Sequence, residues 1–279
     1  MKVHVLGVRG STPAPGRAFA RYGGNTSCVA VSSDDGLPTL VLDAGTGLRH
    51  LGTLLGDAPF RGALLLGHLH WDHTHGLPFS RAVDHDGASV RLCLPDQGDG
   101  SAAADVLRRA MSPPHFPIGP EGLRGSWTFE GLAPGTHHLG GFDVLALDIP
   151  HKGGRTFGYR VSDGSSSVAY LSDHGPAALG PGPDGWGPYH ETAMALAADV
   201  DLLVHDAQHT SSELPSRVSF GHSAADYPVH LADRAGAKAV LLFHHDPNRT
   251  DDEVDSIVVS FADAAVPVAA AIEGSTLTL

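Results

Sequence analysis

The chain has 279 residues, with 18 Lys and Arg against 31 Asp and Glu, 19 His and two Cys. A net charge of -13 leaves no basic surface with which to grip a long phosphate backbone, so extended nucleic acid is not an expected partner. Cys28 and Cys93 have no zinc-site or disulfide-framework spacing, and no apolar run reaches the roughly 20 residues that span a bilayer, so a cytoplasmic protein with both cysteines in its core is expected.

KVHVLGV, SCVAVSS and TLVLDAG read as strands separated by turn formers, and LRHLGTLLG reads as a short helix. The apolar strand GALLLG then runs into a cluster of histidines, followed by a strand at SVRLCLP, a helix at SAAADVLRRAM and a Pro-rich loop at SPPHFPIGP. SWTFEG, FDVLALDIP, TFGYRVSD and SVAYLSD are further strands, the last two joined through the turn signal DGSS. The final third alternates helix and strand: YHETAMALAA, DLLVHDA, SAADYPVHLADRAG, AVLLFH, DDEVDSIVVSFADA and VPVAAAIEG. No linker or low-complexity tail divides the chain and no short repeat recurs, so residues 1–279 are expected to form one domain. The apolar C-terminal segment VPVAAAIEGSTLTL has two readings, a buried strand or a contact with a second copy in a homodimer.

The densest chemical signal lies in GHLHWDH. His68 and His70, at alternate positions of an extended segment, project to one side, and Asp72 and His73 follow as the chain turns. Imidazole and carboxylate suit zinc, and the carboxylate also tolerates manganese or iron. Three more apolar strands end in ligand-type residues: His151 before two glycines in DIPHKGG, Asp173 in VAYLSDHG, and His244 in AVLLFHHDP, where His245 is the competing choice.

These residues resemble the metallo-β-lactamase fold hydrolases. HLHWDH is similar to the main motif of that superfamily, and His151, Asp173 and His244 follow in the order of its later motifs. The likeness runs from VLGVRGSTP and RYGGNTSCVAV through VLDAGTGLRHLG to HDAQHT, FGHS and LLFHHDP, nearest to the branch with ribonuclease Z and small phosphodiesterases. It implies an α/β fold, the αββα four-layer sandwich of two mixed sheets with outer helices. It also implies two divalent cations, zinc first and manganese as the alternative. His68, His70 and His151 would hold one, Asp72, His73 and His244 the other, and Asp173 would bridge them.

Two cations roughly 3.5–4 Å apart can share a hydroxide at neutral pH and neutralise charge developing on a phosphoryl or carbonyl oxygen. Asp72 can ligate only, or also take a proton from the bridging water. Asp43, in VLDAGTG, is either an acceptor that anchors the ligand loops or a turn residue. Gly23, Gly24 and Asn25 could line a loop beside the substrate or serve the turn alone. By resemblance, Asp206 of HDAQ orients His222 of GHS near a scissile phosphate. The alternative is that His222 merely precedes a helix capped by Ser223.

Ribonuclease Z carries a long arm for tRNA between its third and fourth motifs, whereas here only the hairpin sequence KGGRTFGYRVSDGSSSVAYLS separates His151 from Asp173. The expected substrate is therefore a small or cyclic phosphodiester. The alternatives are RNA or tRNA 3′-end processing without the arm, and hydrolysis of a lactone, ester or thioester. β-Lactam hydrolysis and diiron redox chemistry rank lower, and a non-catalytic scaffold is disfavoured because all seven ligand positions are filled.

Overall fold

The computed structural model describes residues 1–279. In chain order its strands are β1 (Lys2–Gly7), β2 (Cys28–Ser32), β3 (Leu40–Leu42), β4 (Arg61–Leu65), β5 (Ser89–Pro95), β6 (Ser126–Leu132) and β7 (Gly135–Leu139). They continue as β8 (Phe142–Asp148), β9 (Phe157–Ser162), β10 (Ser167–Leu171), β11 (Leu202–Asp206), β12 (Val240–Phe243), β13 (Val268–Ala270) and β14 (Thr276–Thr278). The helices are α1 (Leu51–Leu54), α2 (Ala103–Arg108), α3 (Glu191–Ala197), α4 (Leu214–Arg217), α5 (Asp226–Ala235) and α6 (Asp251–Ser260). None is long and apolar enough to cross a membrane.

The strands form two seven-stranded mixed sheets, one in the order β14-β1-β2-β3-β4-β5-β6 and the other β13-β12-β11-β10-β9-β8-β7. Their inner faces share one core, in which Val3, Val5, Leu40, Leu42 and Leu65 meet Val144, Tyr159, Val161 and Val204. The intervening side chains point outward, as the two-residue period of a strand demands. Leu6, Val41 and Leu64 pack under α1 and α2, and Leu203 and Leu242 pack under α3 and α5. Burial on both faces is why the central strands read as continuous apolar runs. Together these layers make the expected αββα sandwich.

Strand direction decides where the chemistry collects. β3, β4 and β5 are parallel, as are β10, β11 and β12. β8 and β10 both run antiparallel to β9, so they share a direction. The C-terminal ends of these strands meet at one edge of the sandwich, the usual place for a ligand site in an open α/β sheet. Asp43, His68, His151, Asp173, Asp206 and His244 each lie at or just beyond one of those ends.

Two details concern the edges of the sheets. β7 escapes the apolar pattern because GTHHL is a polar edge strand, with His137 and His138 on its surface. The C-terminal segment supplies both β13, parallel to β12, and β14, antiparallel to β1, so it passes from one sheet to the other and closes an edge of each.

Candidate metal centre

The segment after β4 holds its histidines in extended backbone until a short 3-10 turn, Trp71–His73, swings Asp72 and His73 inward. The result is two sets of side chains: His68, His70, His151 and Asp173 in one, where His70 and His151 are half-buried, and the buried Asp72, His73, Asp173 and His244 in the other. Within each set the ligand-type atoms lie within 4.8 Å of one another, and Asp173 belongs to both. All seven residues singled out in the sequence are therefore brought together.

The contacts distinguish atoms that are committed from atoms that are free. His73 donates from Nδ1 to Asp43 Oδ2 at 2.7 Å, leaving Nε2 directed at Asp173 Oδ1, 2.9 Å away. His151 donates from Nδ1 to the Gly221 carbonyl at 2.7 Å, and its Nε2 faces His70 Nδ1 at 3.3 Å. Asp173 Oδ2 stands 3.6 Å from both His68 Nε2 and His151 Nε2, and Oδ1 is 3.0 Å from His244 Nε2. Asp72 Oδ2 accepts from the Ser11 backbone N–H at 2.6 Å and lies 3.2 Å from His244 Nε2.

His68 Nε2, His73 Nε2 and Asp173 Oδ1 are buried, yet none has a properly directed hydrogen bond despite the short separations. Unsatisfied buried polar atoms are costly and rare. Atoms of imidazole and carboxylate that converge without pairing are what a cation requires, and the donor set suits zinc or manganese.

Electrostatics agree with this. Burial alone would raise the Asp72 and Asp173 carboxyls, but neighbouring histidines outweigh it and hold both well below the usual carboxylate range. Burial pushes His68, His70 and His151 down, keeping them neutral as ligands must be. Burial also works against a charge on His73, but Asp173, Asp72 and Asp43 override it and draw its pKa well up. A site this rich in buried carboxylates calls for positive charge, which divalent cations provide in place of protons.

Asp43 anchors the ligand loops, as one reading of the sequence expects. It sits at φ 60°, fully buried, where Oδ1 accepts from Gly67 N–H at 2.7 Å and Oδ2 accepts from His73 and from Tyr170 Oη at 2.8 Å. His244, also at positive φ (58°), turns into the site. His245 turns away, its Nε2 3.2 Å from the Ala271 carbonyl and its ring edge-on to Tyr22.

Asp206 accepts from His222 Nδ1 at 2.8 Å, from Gln208 N–H at 3.0 Å and from His174 N–H at 3.2 Å. With both oxygens engaged, the trio Asp206, His222 and His244 is a poor third cation site, although its ligand-type atoms are close together. The His222 ring stacks on His244 at 5.0 Å and borders a cavity of about 460 Å³ that also exposes His70, Asp72, His151 and Asp173.

Asn25 is a correction. Its amide donates to Glu273 Oε1 at 2.6 Å and lies 3.1 Å from His50 Nε2, and it does not line the cavity. The GGN loop is therefore tied to the C-terminal segment, because a half-buried carboxamide satisfies its donors with the nearest acceptors.

Several contributors carry no readable signal in the sequence. Gly10 leaves room for the His244 ring, which an added Cβ would meet at 2.5 Å. Fully buried Arg9 donates to the carbonyls of Gly23 and Arg249 and pairs with Asp251, tying the Ser11 loop to the segment after His244. Lys152 and Gln208 line the cavity beside the ligand sets.

A model of the beta-lactamase superfamily domain matches residues 39–245. The chain belongs to the metallo-β-lactamase superfamily. Ribonuclease Z of Staphylococcus carnosus (strain TM300) is 25% identical over 280 residues, covering 84% of this chain and 87% of that protein. Among solved structures, the metallo-beta-lactamase fold protein YhfI from Bacillus subtilis superposes with a TM-score of 0.72 at 19% identity, covering 99% of each chain. A diphosphatase from the PhnP family superposes with a TM-score of 0.71 at 18% identity, covering 100% of this chain and 97% of its own. In this superfamily member the matched region runs from β3 through His244, spanning every candidate ligand.

Proposed function

We propose that this superfamily member is a metal-dependent hydrolase of small or cyclic phosphodiesters. The observation that carries the reading is the His222–Asp206 pair, with Nδ1 held at 2.8 Å and the ring bordering the cavity above both ligand sets. His68, His70 and His151 would hold one divalent cation and Asp72, His73 and His244 the other, with Asp173 shared. When bound, the cations supply Lewis acidity and a water acidified toward neutral pH.

The chain's own groups do the rest. Asp206 orients the His222 ring by accepting from Nδ1–H, so a cationic His222 offers its second proton at Nε2, which suits an alkoxide leaving group. Asp72 is held ionised, and its Oδ2 is fixed by the Ser11 N–H. Lys152 adds positive charge at the cavity mouth, its Nζ 5.1 Å from the Phe220 ring centroid. Ribonuclease Z and the diphosphatase are both named for phosphate chemistry, which supports the same class. A small substrate is favoured because only the β9–β10 hairpin, closed by the Asp163 turn, lies between His151 and Asp173. The net charge of -13 points the same way.

The test is a comparison of kcat/KM on an activated phosphodiester, a lactone and a β-lactam with metal-replete protein. The diester is expected to lead clearly, and a clear lead for either of the others overturns the assignment.

A further inference from the structure

Beside the metal-face cavity lies a second one of about 570 Å³, joined to it along Leu69 and Trp71, the residues interleaved with His68, His70 and Asp72. The floor is apolar, with Leu77, Val106, Leu107 and Met111 buried in the protein. Two aromatic side chains are left uncovered at this cavity, Trp71 at 67% exposure and Phe79 at 68%. Each is braced by a neighbour: Trp71 stacks on His75 with centroids 5.7 Å apart and planes 15° apart, and Phe79 meets Phe116 edge to face at 5.8 Å. Gly153 borders the same space at φ +85°, and a Cβ there would strike His70 Nε2 at 2.7 Å.

We propose that this cavity receives a planar aromatic ring of nucleobase size on the ester arm that stays with the phosphate. The inference rests on the phosphodiesterase reading for its anchor, because a phosphate at the metal face directs one arm across Leu69 and Trp71 and the other toward His222. Exposed aromatic faces beside a polar site are where a flat ring gains most, since stacking is tolerant of ring identity and removes apolar surface from water on both partners. The rim suits a heterocycle better than an alkyl chain, because it is polar around the apolar floor: Asp99 and Arg109 pair there at 3.3 Å, and His115 also lines it.

The test uses p-nitrophenyl diesters that share one leaving group and differ in the retained arm: methyl, cyclohexylmethyl, 2-naphthylmethyl and 5′-thymidyl. Binding of the unreactive 2-naphthylmethyl and methyl methylphosphonates is measured in parallel by calorimetry. Planar arms are expected to raise kcat/KM over methyl by about 10- to 100-fold, with cyclohexylmethyl well behind, and the naphthyl phosphonate is expected to bind at least about tenfold tighter. Phe79→Ala should cut both planar-to-methyl ratios severalfold, and because Phe79 is mostly exposed the variant should keep its fold. Equal turnover of all arms overturns the pocket and leaves the phosphodiesterase reading intact. If no diester turns over, the reading of the reaction fails, and the phosphonate ratio still decides the pocket. A dimer that dissociates on Phe79→Ala with both ratios unchanged would assign the aromatic patch to a second copy and also overturn it.

Discussion

Asp43→Asn removes one charge and almost no volume, yet every hydrogen bond of the residue depends on which atom faces which partner. With the Asn oxygen toward Gly67 N–H, now at 2.7 Å from Oδ1, the new NH₂ faces His73 Nδ1 and Tyr170 Oη, both of which donate in the native site. His73 can then pair only by moving its proton to Nε2, the atom beside Asp173 that would have to present a lone pair to a cation. The flipped amide instead sets two donors against each other at Gly67. Either orientation loses charge-assisted bonds worth about 1.5–3 kcal/mol each, so a stability loss of about 3–5 kcal/mol is expected. At about 2–4 °C per kcal/mol for a chain somewhat smaller than this one, the metal-free protein should melt roughly 6–20 °C lower. Cation affinity should fall by about 10- to 100-fold, the usual effect of losing the partner of a ligating histidine. Calorimetric melting of chelated protein and a competitive metal titration measure both. An Asp43→Asn protein with native affinity and a melting point within 2 °C would refute the role given to this carboxylate.

His222→Ala should retain its metals and lower kcat on alkyl-leaving diesters by about 10²- to 10⁴-fold, with a much smaller deficit for a nitrophenolate; metal loss, or an equal deficit for both, would make His222 a ligand or a structural residue. Gly10→Ala drives a Cβ to 2.5 Å from the His244 ring, so elemental analysis should find the cation of the His244 set depleted before the other. Precursor tRNA should be cleaved poorly at physiological salt, and efficient specific cleavage would restore the tRNA-processing alternative. Burial lowers the His205 pKa to about 4 from its ordinary value near 6.5, so between those pH values only the unfolded chain takes up the proton. Stability of the chelated protein should therefore be unaffected by this group above pH 6.5 and fall by up to about 3 kcal/mol toward pH 4. A melting temperature that stays flat across that window would contradict the account.

The residues that a cation would use were legible because strand and motif chemistry is local. HLHWDH states its own chemistry, and DIPH, YLSD and LLFHH show the same event, an apolar strand ending in a ligand-type side chain. The apolar runs were legible for the same reason, since burial on both faces demands them, whereas the polar edge strand at Gly135–Leu139 left no such trace. The choice between adjacent His244 and His245 was not local: it turns on a positive φ at His244 and on the Ala271 carbonyl that His245 faces. Asn25 was misread because its partners, His50 and Glu273, are distant in sequence and meet it only when the C-terminal segment crosses between the sheets. The sequence by itself determined which side chains could bind metal, since that is a property of side-chain type and spacing. Only the tertiary structure decided which nitrogen of each histidine is free, because the proton on an imidazole follows the hydrogen bond at its far side, and the partners here, Asp43 for His73, Gly221 for His151 and Asp206 for His222, sit on segments that only folding brings together.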